Sequence, residues 1–226
     1  MRAVVIGASG GIGAALASAL QARGAEVIGL SRSRDGLELT DPDSVARAAA
    51  QTRERLGPGG AADMILVATG ALEISGQGPE KTIAALEAEA MAAQFAVNAI
   101  GPALLLRHFS PLLPPRGRSV FALLSARVGS IGDNRLGGWI SYRAAKAALN
   151  QIVRTAAIEV ARKRPEALVV ALHPGTVESA LTAKYLGRHA AVPAAAAAGN
   201  LLGVIDGLGA ADSGGFFDWR GDRVAW

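Results

Sequence analysis

Short apolar runs with no polar alternation recur along the chain, separated by longer stretches in which apolar residues return every three or four positions. The runs fall at residues 2–7, 25–30, 63–69, 118–124, 167–172 and 214–218. Ala3-Val4-Val5-Ile6 and Leu168-Val169-Val170-Ala171-Leu172 are typical. A strand with no polar face is buried on both sides, the condition of strands in a parallel sheet covered by helices. The longer stretches, 12–22, 43–56, 83–112, 138–162 and 193–206, predict helices. Strand and helix patterns alternate from end to end, which predicts one α/β domain over residues 1–226. Its sheet is expected to be doubly wound, mainly parallel and flanked by helices. Gly57-Pro58-Gly59-Gly60 is a turn, because strand-like sequence follows at once, and Pro193 opens an alanine run as a helix start.

Composition narrows the chemistry. The 226 residues are 50% hydrophobic and 19% charged, enough for one sizeable core and too apolar for disorder. No cysteine is present, which removes disulfides, thiolate metal sites and a cysteine nucleophile. The histidines, His108, His173 and His189, are scattered, so no metal site is expected. The net charge of +4 is carried by single basic residues without a dense tract, and no nucleic-acid partner is expected. The chain runs straight into its first strand without a signal-peptide pattern, and no apolar run reaches the ~18 residues of a membrane span. The expected location is the cytoplasm, with no membrane partner.

The first strand ends in Gly7-Ala8-Ser9-Gly10-Gly11-Ile12-Gly13, and a helix pattern starts immediately. Glycines allow a sharp turn and close approach to a pyrophosphate, and the helix N-terminus offers free N–H donors. A glycine loop between a first strand and a helix is the arrangement of a Rossmann-type dinucleotide site. The second strand ends in Ser31-Arg32-Ser33-Arg34, where an NAD enzyme usually has an acidic residue for the ribose hydroxyls. A guanidinium suits a 2′-phosphate instead. The expected cofactor is therefore NADP(H) over NAD(H), with Arg32 the first contact and Arg34 the second.

Tyr142-Arg143-Ala144-Ala145-Lys146 places a phenol and an ammonium one turn apart on one helix face. A free phenol has a pKa of ~10, and a nearby ammonium is expected to lower it toward the range useful for proton transfer. With the glycine loop, this pattern resembles the short-chain dehydrogenase/reductase family along nearly the whole chain. Arg127-Val128-Gly129-Ser130-Ile131, Gly137-Gly138-Trp139 to Arg143, and the ending Phe217-Asp218-Trp219-Arg220-Gly221 with Trp226 are similar to its C-factor-like, sniffer-like branch.

The resemblance implies Tyr142 as acid/base, Lys146 as its electrostatic partner and ribose contact, and Asn98 as the residue supporting a water-linked proton path. Asn98 precedes Gly101-Pro102, where a helix can distort. It implies cofactor contacts from Glu38-Leu39 beside the adenine, Ala68-Thr69-Gly70, and Pro174-Gly175-Thr176-Val177 at the nicotinamide carboxamide. Against the family, the region between strands two and three is read as shortened, without a full helix. The family's usual Asn-Asn-Ala-Gly is Val67-Ala68-Thr69-Gly70 here, which keeps the glycine and loses the asparagines. The family's catalytic serine commonly stands three residues before a glycine, and three before Gly129 is Ala126. Ser125 is the favoured hydroxyl and Ser130 the alternative. A regular strand would face Ser125 away from Tyr142, and a bulge would turn it back.

The region 178–192, with Leu181, Lys184, Tyr185, Leu186, Arg188 and His189, is expected to cover a small carbonyl or alcohol substrate. Tyr185 and Leu186 read more readily as local packing. The resemblance also implies a homodimer or homotetramer built on the helices carrying Asn98 and Tyr142, where alanines such as Ala144, Ala148 and Ala156 permit close approach. The leading reading is an NAD(P)-dependent oxidoreductase. The alternative is a cofactor-binding signalling or regulatory protein with little turnover, and a pure scaffold gives no reason for Tyr142, Lys146 and Asn98 to coexist.

Overall fold

The computed structural model describes residues 1–178 and 191–226. The strands are β1 (Arg2–Ile6), β2 (Glu26–Leu30), β3 (Met64–Val67), β4 (Ser119–Leu124), β5 (Ala167–His173) and β6 (Phe216–Asp218). They form one sheet in the order β2-β1-β3-β4-β5-β6, with every neighbouring pair parallel. The helices are α1 (Gly11–Ala22), α2 (Arg32–Asp35), α3 (Pro42–Leu56), α4 (Ala88–Phe95), α5 (Gly101–Phe109), α6 (Ile140–Ala161) and α7 (Ala194–Gly207). Every predicted strand is present, with ends displaced by no more than two residues.

The non-alternating strands are buried on both faces, as their composition requires. Phe121 and Leu123 of β4 join Val45 of α3, Leu105 and Phe109 of α5, and Leu149 and Val153 of α6. Val120 and Ala122, one position out of phase, join Leu16 and Leu20 of α1 and Leu201, Leu202 and Ile205 of α7. Truncating a fully buried ring such as Phe109 or Phe121 to alanine costs about 3–5 kcal/mol. The chain leaves β1 toward β2 on one side and returns to β3 on the other. That reversal opens a crevice above the C-terminal ends of β1 and β3, the usual ligand position in such sheets.

The single helix expected over 83–112 is five pieces, the last a 3₁₀ turn over Ser110–Leu112. A 3₁₀ turn (Ile83–Ala85) precedes α4, a π-turn (Ala96–Ile100) follows it, and α5 continues from Gly101. Pro102 has no N–H to donate to the carbonyl four residues back, that of Asn98, so the wider turn falls where the regular ladder is broken. Ala88–Leu112 nonetheless has the length and apolar composition of a membrane span, contrary to the expectation that none would. In this fold Leu105, Leu106 and Phe109 from it pack into the sheet. The region between β2 and β3 is not without a full helix: after the single turn α2 comes α3, 15 residues long, started by the Asp41 cap and Pro42.

Candidate active site

The glycine loop is shaped by contacts that a side chain would destroy. Gly7 has φ 92, and a Cβ on it would lie 2.7 Å from the Ala68 carbonyl oxygen. A Cβ on Gly13 would lie 2.1 Å from the Gly7 oxygen, so α1 rests directly on the turn. Gly10 caps α1 without a side chain, no acidic residue lies in its first turn, and Ser9, Gly10 and Gly11 are exposed. The N–H groups of that turn are open to an anion. Beside the loop, the Thr69 hydroxyl is buried without a hydrogen-bond partner. Glycine cradle, open helix N-terminus and orphaned hydroxyl together fit a dinucleotide.

At the end of β2 the Asp35 carboxylate folds back to accept from the Ser31 N–H at 2.7 Å, and the Ser31 hydroxyl accepts from Arg34 N–H. The one acidic side chain near this strand end is thus consumed by the turn. Arg32 and Arg34 are exposed, and neither guanidinium forms an ion pair among the described residues. Glu38 accepts from the Thr40 hydroxyl at 2.9 Å, and Leu39 packs on Gly101 at the start of α5.

Two predicted residues, Asn98 and Lys146, converge on Gly70. Asn98, fully buried in the π-turn, accepts from Ala71 N–H at 3.1 Å and donates to the Ala71 carbonyl at 2.9 Å. Its amide also donates to Gln94 Oε1 at 2.7 Å, and Gln94 donates to the Leu72 carbonyl. Gln94 was not singled out in the sequence; its spacing of four from Asn98 on one helix face is the signal that could have found it. A Cβ on Gly70 would lie 3.1 Å from Asn98 Oδ1 and 3.3 Å from Lys146 Nζ. Both polar groups therefore reach the same face of this glycine. Lys146 Nζ donates to the Leu124 carbonyl at 3.1 Å and stands 5.9 Å from the centroid of the Tyr142 ring. Trp139 meets that ring edge-on at 6.3 Å.

The electrostatics of the pair differ from expectation. Burial pushes the Tyr142 phenol up to about 12 and the Lys146 ammonium down to about 8. The expected lowering of the phenol is absent because desolvation of a buried phenolate outweighs an ammonium that is turned to Leu124.

Pro174–Val177 follows β5 at the same edge of the sheet. Gly175 (φ 78) lies under the Trp219 indole, with 2.9 Å from its missing Cβ to the ring, and Val177 forms a bridge with Val192. Of the expected substrate cover, residues 179–190, with Leu181, Lys184, Tyr185, Leu186, Arg188 and His189, lie outside the described residues.

Ser125 does not join the group. It continues the strand parity of Phe121 and Leu123 toward α6, where its hydroxyl donates to Asn150 Oδ1 at 2.6 Å. Asn150 is eight positions after Tyr142, about 12 Å along the helix axis. Ser130 is buried, and its hydroxyl accepts from Asp133 N–H at 3.1 Å. Neither of the two serines is held against the phenol. His173, at the end of β5, has a buried Nδ1 without a partner, and burial pushes its pKa down to about 4.

A family profile described as enoyl-(acyl carrier protein) reductase matches residues 7–205. The C-signal protein of Myxococcus xanthus is 40% identical over 140 residues, 60% of this chain and 78% of that protein. The 1-hydroxy-2-glutathionyl-2-methyl-3-butene dehydrogenase of Rhodococcus sp. (strain AD45) is 30% identical over 235 residues, 99% of this chain and 98% of that one. Among solved structures, an NADPH-bound carbonyl reductase from chicken fatty liver is 27% identical with a TM-score of 0.83, covering 100% of this chain and 94% of the other.

Proposed function

We propose that this chain, which belongs to the short-chain dehydrogenase/reductase family and is an oxidoreductase, reduces a small carbonyl compound, or oxidises the matching alcohol, with NADP(H) in preference to NAD(H). The observation that carries this reading is the meeting of Asn98 and Lys146 at Gly70, with Tyr142 one turn before Lys146, beside a glycine loop built for a dinucleotide. When bound, the nicotinamide supplies or accepts the hydride. The N–H groups after Gly10 would hold the pyrophosphate, Arg32 and secondarily Arg34 would bind the 2′-phosphate, and Pro174–Val177 would hold the carboxamide. The NADPH-bound state of the chicken carbonyl reductase supports the phosphate preference.

Tyr142 is protonated throughout the neutral range, the state needed to give its proton to a carbonyl oxygen. Transfer leaves a phenolate, and Lys146, still mostly charged at pH 7, offsets that charge in a site of low polarity. Asn98 holds Ala71 and the turn at Gly70 in place while the proton is returned from solvent. Ser125, bonded to Asn150, supports the β4–α6 contact, and the chemistry falls to Tyr142, Lys146 and Asn98.

The test is NADPH consumption across a panel of aldehydes and ketones. A second reading has one observation in its favour: the C-signal protein shares 40% identity over 140 residues. A signalling protein of this kind would bind NADPH tightly and turn over none of the panel.

A further inference from the structure

Helix α6, which carries Tyr142, begins without a cap of its own. Trp139 at the N-cap position is in the left-handed region (φ 55, ψ 40) and lends no side-chain oxygen to the first turn. A bulky residue there costs on the order of 1–3 kcal/mol and persists only where its surroundings hold it. What holds it arrives from a segment far earlier in the chain. The Glu80 carbonyl accepts from Trp139 N–H at 2.5 Å. The Glu80 carboxylate accepts from Ser141 N–H at 3.2 Å and from the Ser141 hydroxyl. The next residue is Tyr142.

The segment that delivers Glu80 is fixed at its other end as well. It starts at Ala71, whose N–H and carbonyl are both bonded to Asn98. Between the two ends, Ile74 and Gln77 exchange both backbone hydrogen bonds around Ser75 and Gly76, at φ 54 and 79. Two successive positive φ values make the tight turn of a hairpin, a stiff connection. Residues 71–80 therefore form a strap tied to Asn98 at one end and to the first turn of α6 at the other.

We propose that Glu80 is a positioning residue for the reaction: by gripping Ser141 it fixes the start of α6 and so the direction in which Tyr142 presents its hydroxyl. Glu80 acts through its bonds to Ser141 and Trp139. The inference rests on Tyr142 as proton donor. Burial is the largest influence and works against the Glu80 charge, but the bonds from Ser141 and from Glu80's own backbone together hold the carboxyl below its ordinary range, so the grip is closed at neutral pH. A displacement near 1 Å at a reacting group can cost about 10²-fold in rate, so a loosened first turn is felt in turnover before binding.

The experiment compares Glu80→Ala, Glu80→Gln and Ser141→Ala with the unaltered protein for kcat, KM and NADPH affinity. A second readout is tyrosinate absorbance against pH, with the Tyr142 component isolated by subtracting Tyr142→Phe; the chain has only two tyrosines. Glu80→Ala is expected to lower kcat about tenfold or more with NADPH affinity within about twofold, and to move Tyr142 titration down toward the ordinary phenol range as water enters. Glu80→Gln, which keeps an acceptor for Ser141, restores most of both. Ser141→Ala, which leaves the N–H contact, falls between. Glu80→Ala with unchanged kcat and unchanged tyrosinate titration overturns the proposal, whatever happens to its melting temperature. If that variant does not fold, the same result in Ser141→Ala overturns it. An unaltered protein that turns over no carbonyl counts against the oxidoreductase reading, while the tyrosinate titration still decides whether Glu80 controls the surroundings of Tyr142.

Discussion

Replacing Ser125 with alanine separates a structural hydroxyl from a catalytic one. The side chain is 4% exposed and donates to Asn150 Oδ1 at 2.6 Å; Asn150 donates in turn to the Gly129 carbonyl at 3.3 Å. Deletion of the hydroxyl leaves the Asn150 oxygen buried without its donor, a cost of about 1–3 kcal/mol. In a chain of this size each kcal/mol moves the melting temperature by ~2–4 °C, so a fall of roughly 2–12 °C is expected. Turnover should change little, by no more than about threefold, because the lost bond sits two turns of α6 beyond Tyr142 and does not act on the reacting oxygen. Thermal unfolding and steady-state kinetics on the same preparation give both numbers. A drop in kcat of about tenfold or more with an unchanged melting temperature would refute the reasoning and show that Ser125 swings round to hold the substrate oxygen.

Further outcomes follow from other parts of the structure. NADPH should bind about tenfold tighter than NADH, ~1.4 kcal/mol, and Arg32→Asp should erase most of that difference; equal dissociation constants in the unaltered protein would contradict it. His173 stays neutral in the folded protein down to about pH 4, whereas an unfolded histidine takes up its proton near 6.5. Stability is therefore lost as pH falls from 6.5 toward 4, and His173→Asn should flatten that part of a urea-midpoint profile measured between pH 7 and 4.5. Ile100 in the π-turn and Ile158 in α6 are each about half exposed (54% and 50%), which fits an interface on these helices; light scattering at micromolar concentration should give a dimer or tetramer mass, and a monomer mass rejects it.

The fold was legible because its signals are local and mutually consistent. Apolar runs such as 168–172 cannot sit in a one-sided sheet, and the glycine loop lies where a strand meets a helix. Pro102 marked the distortion that the π-turn around Asn98 shows. The Tyr142–Lys146 pair was legible for the same reason, since four residues make one helical turn. The electrical state of Tyr142 was not, because its phenol responds to burial contributed by the whole fold. Ser125 remained open because strand parity turns it away and a bulge would have turned it back; the structure keeps the parity. Glu80 gave no signal at all. Its partner Ser141 is 61 positions away, and nothing in the sequence around either residue marks the pairing.

The central claim is that Tyr142 donates the proton in a dinucleotide-dependent carbonyl reduction. The most direct measurement is the rate of NADPH oxidation by the unaltered protein and by Tyr142→Phe on the best carbonyl substrate, with NADPH affinity measured for both by fluorescence titration. The phenylalanine variant should bind NADPH within about twofold of the original and lose at least about 10²-fold in kcat, the contribution of a positioned acid. A phenylalanine variant that keeps the original turnover would contradict it.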